Sequence, residues 1–204
     1  MIKRKNKKTV LLISYFVNVK GNCPAEWAND KIKTFIDLDY RVILLTGFQS
    51  KIKSSRFLKV LKIPSLSYIS FNEEFKNCKF KRNWLYNLYS LIPKTLGRFL
   101  DFILIKLNGT VSAGYWSWVI SSSPILFFYL IKKKFNFIFS TGGPTACHLI
   151  GCFIALVFRK PLYCEFQDPL VGNCINKKLS VNAAKFLEKI IINLSYRTIF
   201  VTKL

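Results

Sequence analysis

Short apolar runs alternate along this chain with longer segments of helical periodicity, and this alternation constrains the fold more than any other feature. Residues 9–14 (TVLLIS) and 41–46 (RVILLT) are almost wholly apolar. Such runs are typical of strands buried on both faces of a parallel sheet, because strands with one solvated face alternate instead. Residues 25–38, which lie between them, carry apolar side chains at helical spacing. The beginning of the chain therefore predicts a βαβ unit.

The same alternation continues along the rest of the chain. Further strands are predicted at residues 58–63, 135–140, 161–166 and 197–202, and helices at 84–107, 115–132, 145–159 and 178–195. Pro93 and Pro124 are expected to interrupt two of these helices. Strands that alternate with helices indicate a parallel sheet covered on both faces. We therefore expect one Rossmann-like α/β domain over residues 1–204.

Length and composition indicate one folded domain that is neither secreted nor membrane-spanning. The chain has 204 residues, of which 51% are hydrophobic, enough for a sizeable core. The apolar run after the basic N-terminus is too short for a signal peptide, and no apolar stretch reaches the ~20 residues of a transmembrane helix. The six cysteines include no CxxC pair and there is one histidine. We therefore expect free thiols, no metal and a cytoplasmic chain.

The chain is strongly basic, with 32 Lys and Arg against 10 acidic residues and a formal net charge of +22. Such a charge attracts phosphates, anionic lipid headgroups or nucleic acid. A coding bias towards Lys, Asn, Ile and Phe explains the same balance without any partner. Residues 85–107 mix Leu, Ile and Phe with Lys94, Arg98 and Lys106, which predicts contact with an anionic membrane surface. No nucleic-acid-binding module is recognisable, so no nucleic-acid partner is expected.

Three loops are predicted at the carboxyl edge of the sheet, where open α/β sheets bind their ligands. They comprise residues 15–24, 141–145 and 167–173. The first contains Gly21 and Asn22 and leads into a helix N-terminus, whose free N–H groups can receive an anion. An ordinary strand-to-helix connection explains the same loop. Its glycine spacing does not match the GxGxxG dinucleotide fingerprint.

The second loop begins with Thr141, Gly142 and Gly143, and its two glycines permit a ligand to approach the backbone closely. Thr145 is expected to cap the helix that follows. His148 then falls in the first turn of that helix, near the carboxyl edge of the sheet. A lone histidine in an apolar helix fits a packing role as well as a ligand contact, so both interpretations stay open.

Two carboxylates accompany the third loop. Asp168 is a candidate to accept a hydrogen bond from a substrate hydroxyl or to act as a base. It is equally suited to hold the turn before Pro169 through bonds to nearby backbone groups. Glu165, at the end of the preceding strand, is interpreted as structural. The sequence contains neither a GxSxG nucleophile elbow nor a GxxxxGK[ST] phosphate loop.

Several of these segments, taken in order, resemble the N-terminal domain of family 4 glycosyltransferases, which are retaining enzymes of the GT-B fold. The most specific are TGGPTACHLIG at 141–151 and EFQDPLVG at 165–172, similar to the S-x-G-P-x-x-x-H-x-x-G and D/E-F-x-D-P patterns of that group. TVLLIS, RVILLTG and IFVTK occur in the matching order. The resemblance implies the half of a GT-B enzyme that binds the acceptor. The nucleotide-sugar is then a substrate held by a C-terminal half, and no cofactor is implied.

The resemblance also implies roles for particular residues. Asp168 and His148 would be catalytic. The substrate-binding residues would be Gly21, Asn22, Thr141, Gly142, Gly143, Thr145 and Gln167. The acceptor would be a saccharide or a polyprenyl-linked saccharide of cell-surface glycan synthesis, used at the inner face of the plasma membrane.

Relatives continue into a second Rossmann-like domain after the strand that matches residues 199–202. We therefore expect this chain alone to be inactive and to need a separate donor-binding chain. The alternatives are a catalytically dead remnant that still binds an acceptor, and a basic module that binds a membrane surface.

Overall fold

Six parallel strands form one sheet in the part of the chain that the structure describes. This computed structural model describes residues 7–67, 90–108, 115–168, 170 and 178–201. The strands are β1 (Thr9–Ile13), β2 (Arg41–Thr46), β3 (Leu58–Lys62), β4 (Phe137–Thr141), β5 (Leu162–Phe166) and β6 (Arg197–Phe200). Their order is β3-β2-β1-β4-β5-β6, and every neighbouring pair is parallel. The predicted Rossmann-like α/β fold is confirmed.

Helices connect the strands and lie on both faces of the sheet. They are α1 (Cys23–Asp37), α2 (Arg98–Asn108), α3 (Ser117–Ile131), α4 (Thr145–Phe158) and α5 (Lys178–Leu194). A π-helical turn, Pro93–Gly97, precedes α2. Residues 84–89 of the predicted helix 84–107 lie outside the described residues. None of the described helices is long and apolar enough to cross a membrane.

Successive residues of β1 supply two cores, one on each face of the sheet. Val10 and Leu12 pack with Ile32 of α1 on one face. Leu11 and Ile13 belong to a second core, on the opposite face, that includes α3, α4 and α5. Because both faces are covered, the central strands are apolar at consecutive positions, as the sequence pattern indicates.

The predicted interruption at Pro124 is wrong, because α3 runs unbroken through this residue. A proline inside a helix removes the hydrogen bond to the carbonyl four residues earlier, which here belongs to Ile120. Both residues are exposed, so water can bond that carbonyl. On the other side of α3, Trp118 is fully buried and donates its indole N–H to the carbonyl of Ile63 at 2.8 Å. This packing outweighs the loss of one helical hydrogen bond.

Candidate functional site

The order of the strands reverses direction between the neighbouring strands β1 and β4. The chain leaves β1 through α1 on one face and leaves β4 through α4 on the other face. The connections that follow these two strands therefore lead to opposite faces of the sheet. Ligands of open α/β sheets bind at such a topological switch point.

The three predicted loops begin at this one edge, and the first two are in contact. A Cβ built on Gly142 would lie 3.4 Å from Ser14 Oγ, and one built on Gly143 would lie 3.7 Å from Pro24 Cγ. The glycine loop after β4 is therefore packed on the end of β1 and the start of α1. The third loop begins beside it, because Thr141 and Glu165 are register partners in β4 and β5.

In the first loop, backbone conformation and helix capping explain the two predicted residues. Gly21 has φ +70°, in the left-handed region, and is exposed with no atom near its Cβ position. Asn22 is the N-cap of α1, and its Oδ1 accepts a hydrogen bond from the Ala25 N–H at 3.0 Å. The side chain of Asn22 is therefore engaged, while the surface around Gly21 is open to a ligand.

In the second loop the predicted capping role of Thr145 is wrong, because Thr145 is the first residue of α4. The N-cap is Pro144, which has an extended backbone and no side-chain donor or acceptor with which to cap the helix. Gly142 has φ +122°, a conformation that residues with a side chain rarely adopt. Gly143 is exposed. The result is a tight glycine turn that leads directly into a helix N-terminus.

His148 is buried below this turn. It is 1% exposed, its Nδ1 lies 2.8 Å from Ser140 Oγ, and its ring centroid lies 4.3 Å from that of Phe166. Burial lowers the pKa of His148 to about 3, so the imidazole is neutral at physiological pH. A histidine that acts as a general acid must first carry the extra proton of the imidazolium form, and burial disfavours that form here. The catalytic role of His148 stays a prediction, while its contacts are those of a packing residue.

Glu165 is the centre of a buried polar cluster that joins three elements. Its carboxylate is 2% exposed, accepts a hydrogen bond from Thr141 Oγ1 at 2.6 Å and lies 2.5 Å from Lys31 Nζ. Lys31 belongs to α1, so this ion pair connects α1 to β5 across β4. Lys31 Nζ also lies 5.7 Å from the ring centroid of Phe139. The hydroxyl of Thr141 is engaged with Glu165, and its substrate-binding role stays a prediction.

The sequence contained a signal for this ion pair that was not used. Glu165 ends a buried strand, and a carboxylate there needs a cation or several hydrogen bonds. Lys31 lies one turn after Ala28 and beside Ile32, two of the buried residues of α1. A lysine at the margin of the buried stripe of the first helix is the expected partner.

The third loop places an accessible carboxylate at the edge. Asp168 is exposed two residues after the end of β5, while Gln167 is 9% exposed. The predicted turn partner of Asp168, Pro169, lies outside the described residues. Of the two predicted catalytic groups, Asp168 is therefore the one that a substrate can reach.

An aromatic cluster borders the carboxyl edge on the α3 side, and sequence reasoning missed it. Tyr15 follows β1 and is fully buried, with its ring 4.8 Å from Tyr115 and 4.9 Å from Trp118. Phe16 and Tyr115 are half-buried and meet edge to face at 5.5 Å. Two partly exposed aromatic rings thus adjoin the first loop. Such rings combine apolar contact area with little loss of conformational entropy on binding.

No family model matches this chain, and no curated protein has significant sequence similarity to it. Within the described residues, no group of three or more histidine, cysteine or acidic side chains is arranged to hold a metal ion. The resemblance to family 4 glycosyltransferases therefore rests on the motifs of the sequence.

Proposed function

We propose that this chain is the acceptor-binding half of a GT-B glycosyltransferase of cell-surface glycan synthesis. The observation that carries the proposal is the position of its two most specific motifs. The glycine turn of residues 141–145 lies at the switch point of a parallel sheet, and the acidic end of β5 lies beside it. In this fold class that position is where small ligands bind.

The reaction that we propose joins a donor sugar to an acceptor hydroxyl. The bond between the sugar and the nucleotide phosphate breaks, a new bond forms to the acceptor oxygen, and the hydroxyl proton is released. Asp168 is an exposed carboxylate at the edge, and it is suited to accept a hydrogen bond from the acceptor hydroxyl. The donor is assigned to a second domain or chain, whose phosphates would approach the start of α1 near Gly21.

Buried groups keep the glycine turn in position in this proposal. The Thr141–Glu165–Lys31 cluster ties the end of β4 to α1 and β5. His148 holds the Ser140 hydroxyl beneath the turn. We assign both sets to positioning, because their polar atoms are engaged with each other.

One observation favours binding without catalysis as the second candidate. His148 is buried and neutral, so the edge offers a substrate one of the two predicted catalytic side chains. A chain that binds an acceptor but supports no transfer would have the same fold and the same accessible Asp168. The two candidates are distinguished by adding a donor-binding domain to the purified chain. That domain is the product of a continuing reading frame that encodes it. Sugar transfer supports the enzyme half, and acceptor binding without transfer supports the remnant.

Acceptor binding is tested by titrating the isotope-labelled chain with monosaccharides carried on a short, water-soluble prenyl diphosphate. Chemical-shift changes are expected in residues 15–22, 141–145 and 167–168. Asp168→Asn is expected to weaken binding about fivefold, because a neutral amide oxygen accepts a weaker hydrogen bond than a carboxylate does. Asp37→Asn is the matched control, because Asp37 is exposed at the far end of α1. Equal affinities of the two variants, or shifts confined to other surfaces, would contradict the proposal.

A further inference from the structure

The outer sides of α3 and α4 form a continuous apolar surface, which we call the α3–α4 face. The two helices pack against each other. Their exposed large apolar side chains are Ile120, Ile125, Phe128, Ile131, Phe153, Leu156 and Val157. Phe128 is 70% exposed and Leu156 is 60% exposed. Soluble domains rarely present so many large apolar side chains together unless the surface has a partner.

A shallow groove of about 530 Å³ lies in the α3–α4 face. Phe128 and Phe153 are among its walls, and Ser123 is its one hydroxyl-bearing residue. The groove therefore offers an occupant contact with hydrocarbon and almost no hydrogen bonding. That chemistry fits an acyl chain better than a polar peptide.

Basic residues border this face at one end. Lys132, Lys133 and Lys134 follow α3, while Arg159 and Lys160 follow α4. All of them are exposed except Lys160, which is half-buried. Both helices lead into neighbouring parallel strands, so their C-terminal ends meet at the amino edge of the sheet. The sequence has no acidic residue between positions 102 and 164.

We infer that the α3–α4 face docks on an anionic lipid bilayer. Apolar side chains enter the boundary between headgroups and acyl chains, and the basic ends of the helices contact lipid phosphates. Charge complementarity selects this occupant. A second copy of the chain would oppose one net charge of +22 with another. A bilayer supplies both the hydrocarbon and the negative charge.

This docking is independent of the proposed sugar transfer. The candidate site lies at the carboxyl edge of the sheet, whereas the basic residues lie at the amino edge. Docking therefore leaves the glycine turn and Asp168 accessible. The predicted membrane contact of residues 85–107 stays a separate prediction, because the described part of that segment also exposes large apolar side chains, such as Leu96 and Phe99.

The test is sedimentation of the full chain with vesicles of phosphatidylcholine containing about one third phosphatidylglycerol. We expect Phe128→Ser/Leu156→Ser to weaken vesicle binding at least about tenfold, since two large apolar contacts are lost. Leu38→Ser is the matched control, because Leu38 is 63% exposed at the end of α1. We expect this control to bind vesicles as the wild type does.

Two double charge-reversal variants distinguish docking through this face from the general attraction of a basic protein to an anionic surface. Lys132→Glu/Lys134→Glu is expected to weaken binding about tenfold or more, given ~1 kcal/mol for each basic residue near an anionic surface. Lys51→Glu/Lys53→Glu makes the same charge change at exposed residues between β2 and β3. A clearly smaller effect of the second pair supports the inference, and equal effects overturn it.

Three further outcomes would overturn the inference. The first is a wild-type chain that fails to sediment with the anionic vesicles. The second is equal vesicle binding by Phe128→Ser/Leu156→Ser and Leu38→Ser. The third is a self-associated wild type that Phe128→Ser/Leu156→Ser converts to monomers, which would make the face an interface between copies. Circular dichroism melts of each variant establish that it is folded.

Discussion

The carboxyl edge of the sheet buries polar side chains, whereas the α3–α4 face exposes apolar ones. At the carboxyl edge, Glu165 and His148 are buried, and each is matched to a specific partner. On the α3–α4 face, large apolar side chains such as Phe128 are exposed. Buried polar groups stabilise only when their partners are present, so substitutions of these two residues or of their partners should destabilise the fold. The α3–α4 face contributes little to folding and is free to serve association.

The largest expected difference between the two regions comes from Lys31→Met. This variant leaves the buried carboxylate of Glu165 without its cation, and we expect a loss of roughly 2–3 kcal/mol in unfolding free energy. The value is below that of a wholly buried pair, because the Lys31 side chain is 35% exposed. Urea denaturation measures the loss. The α3–α4 variant Leu156→Ser should change stability by less than about 0.5 kcal/mol. Equal losses would remove the contrast.

A second difference concerns pH and sharpens the role of His148. The folded pKa of about 3 lies below the usual value of 6.5, so between those values the unfolded chain binds a proton that the folded chain excludes. Stability contributed by the neutral ring is therefore present above pH 6.5 and is lost as the pH falls towards 3. We expect a loss of about 2 kcal/mol between pH 7 and pH 5.

His148→Gln retains a hydrogen-bonding side chain but cannot titrate, so it should remove this pH dependence. Denaturant midpoints at pH 7, 6 and 5 for both proteins provide the measurement. A wild-type slope that persists in the variant would mean that other groups cause it.

The smallest expected difference distinguishes two glycines within the carboxyl edge. Alanine at position 142 must adopt φ near +122°, and its Cβ would lie 3.4 Å from Ser14 Oγ. Alanine at position 21 must adopt φ near +70°, and its Cβ would have no atom within 4 Å. We expect Gly142→Ala to cost about 2 kcal/mol and Gly21→Ala about 1 kcal/mol. Thermal unfolding compares the two variants. A larger effect at Gly21 would contradict the tight turn after β4.

Most of the fold could be predicted from the sequence because buried parallel strands are recognisable in isolation. Residues 9–14 and 41–46 are almost wholly apolar over a strand's length, and together with the predicted strand 161–166 they overlap the observed strands closely. The predicted interruption at Pro124 was wrong, because a local preference gave way to the packing around Trp118. The predicted capping role of Thr145 was wrong because Pro144 occupies the N-cap position and Thr145 is already the first residue of α4.

The candidate site was less predictable, because its contacts join residues that are far apart in the chain. The edge itself followed from topology, which placed Gly142 and Asp168 correctly at the ends of β4 and β5. The end of a buried strand signals that Glu165 needs a partner, but its pairing with Lys31 depends on the fold that brings α1 beside β5. Burial of His148 also depends on Phe166, a residue of the neighbouring strand β5 whose ring packs against the imidazole.

The strand β6 has a consequence for how the protein behaves at high concentration. Among the described strands, β6 pairs with β5 alone, and Ile199 within it is more than one third exposed, as are Tyr196 and Val201 at its two ends. An open strand edge with apolar side chains is a template for aggregation. Arg197 and the overall positive charge keep two such edges apart through repulsion, which salt screens. Colloidal stability of this protein should therefore fall, rather than rise, as the ionic strength of the buffer increases.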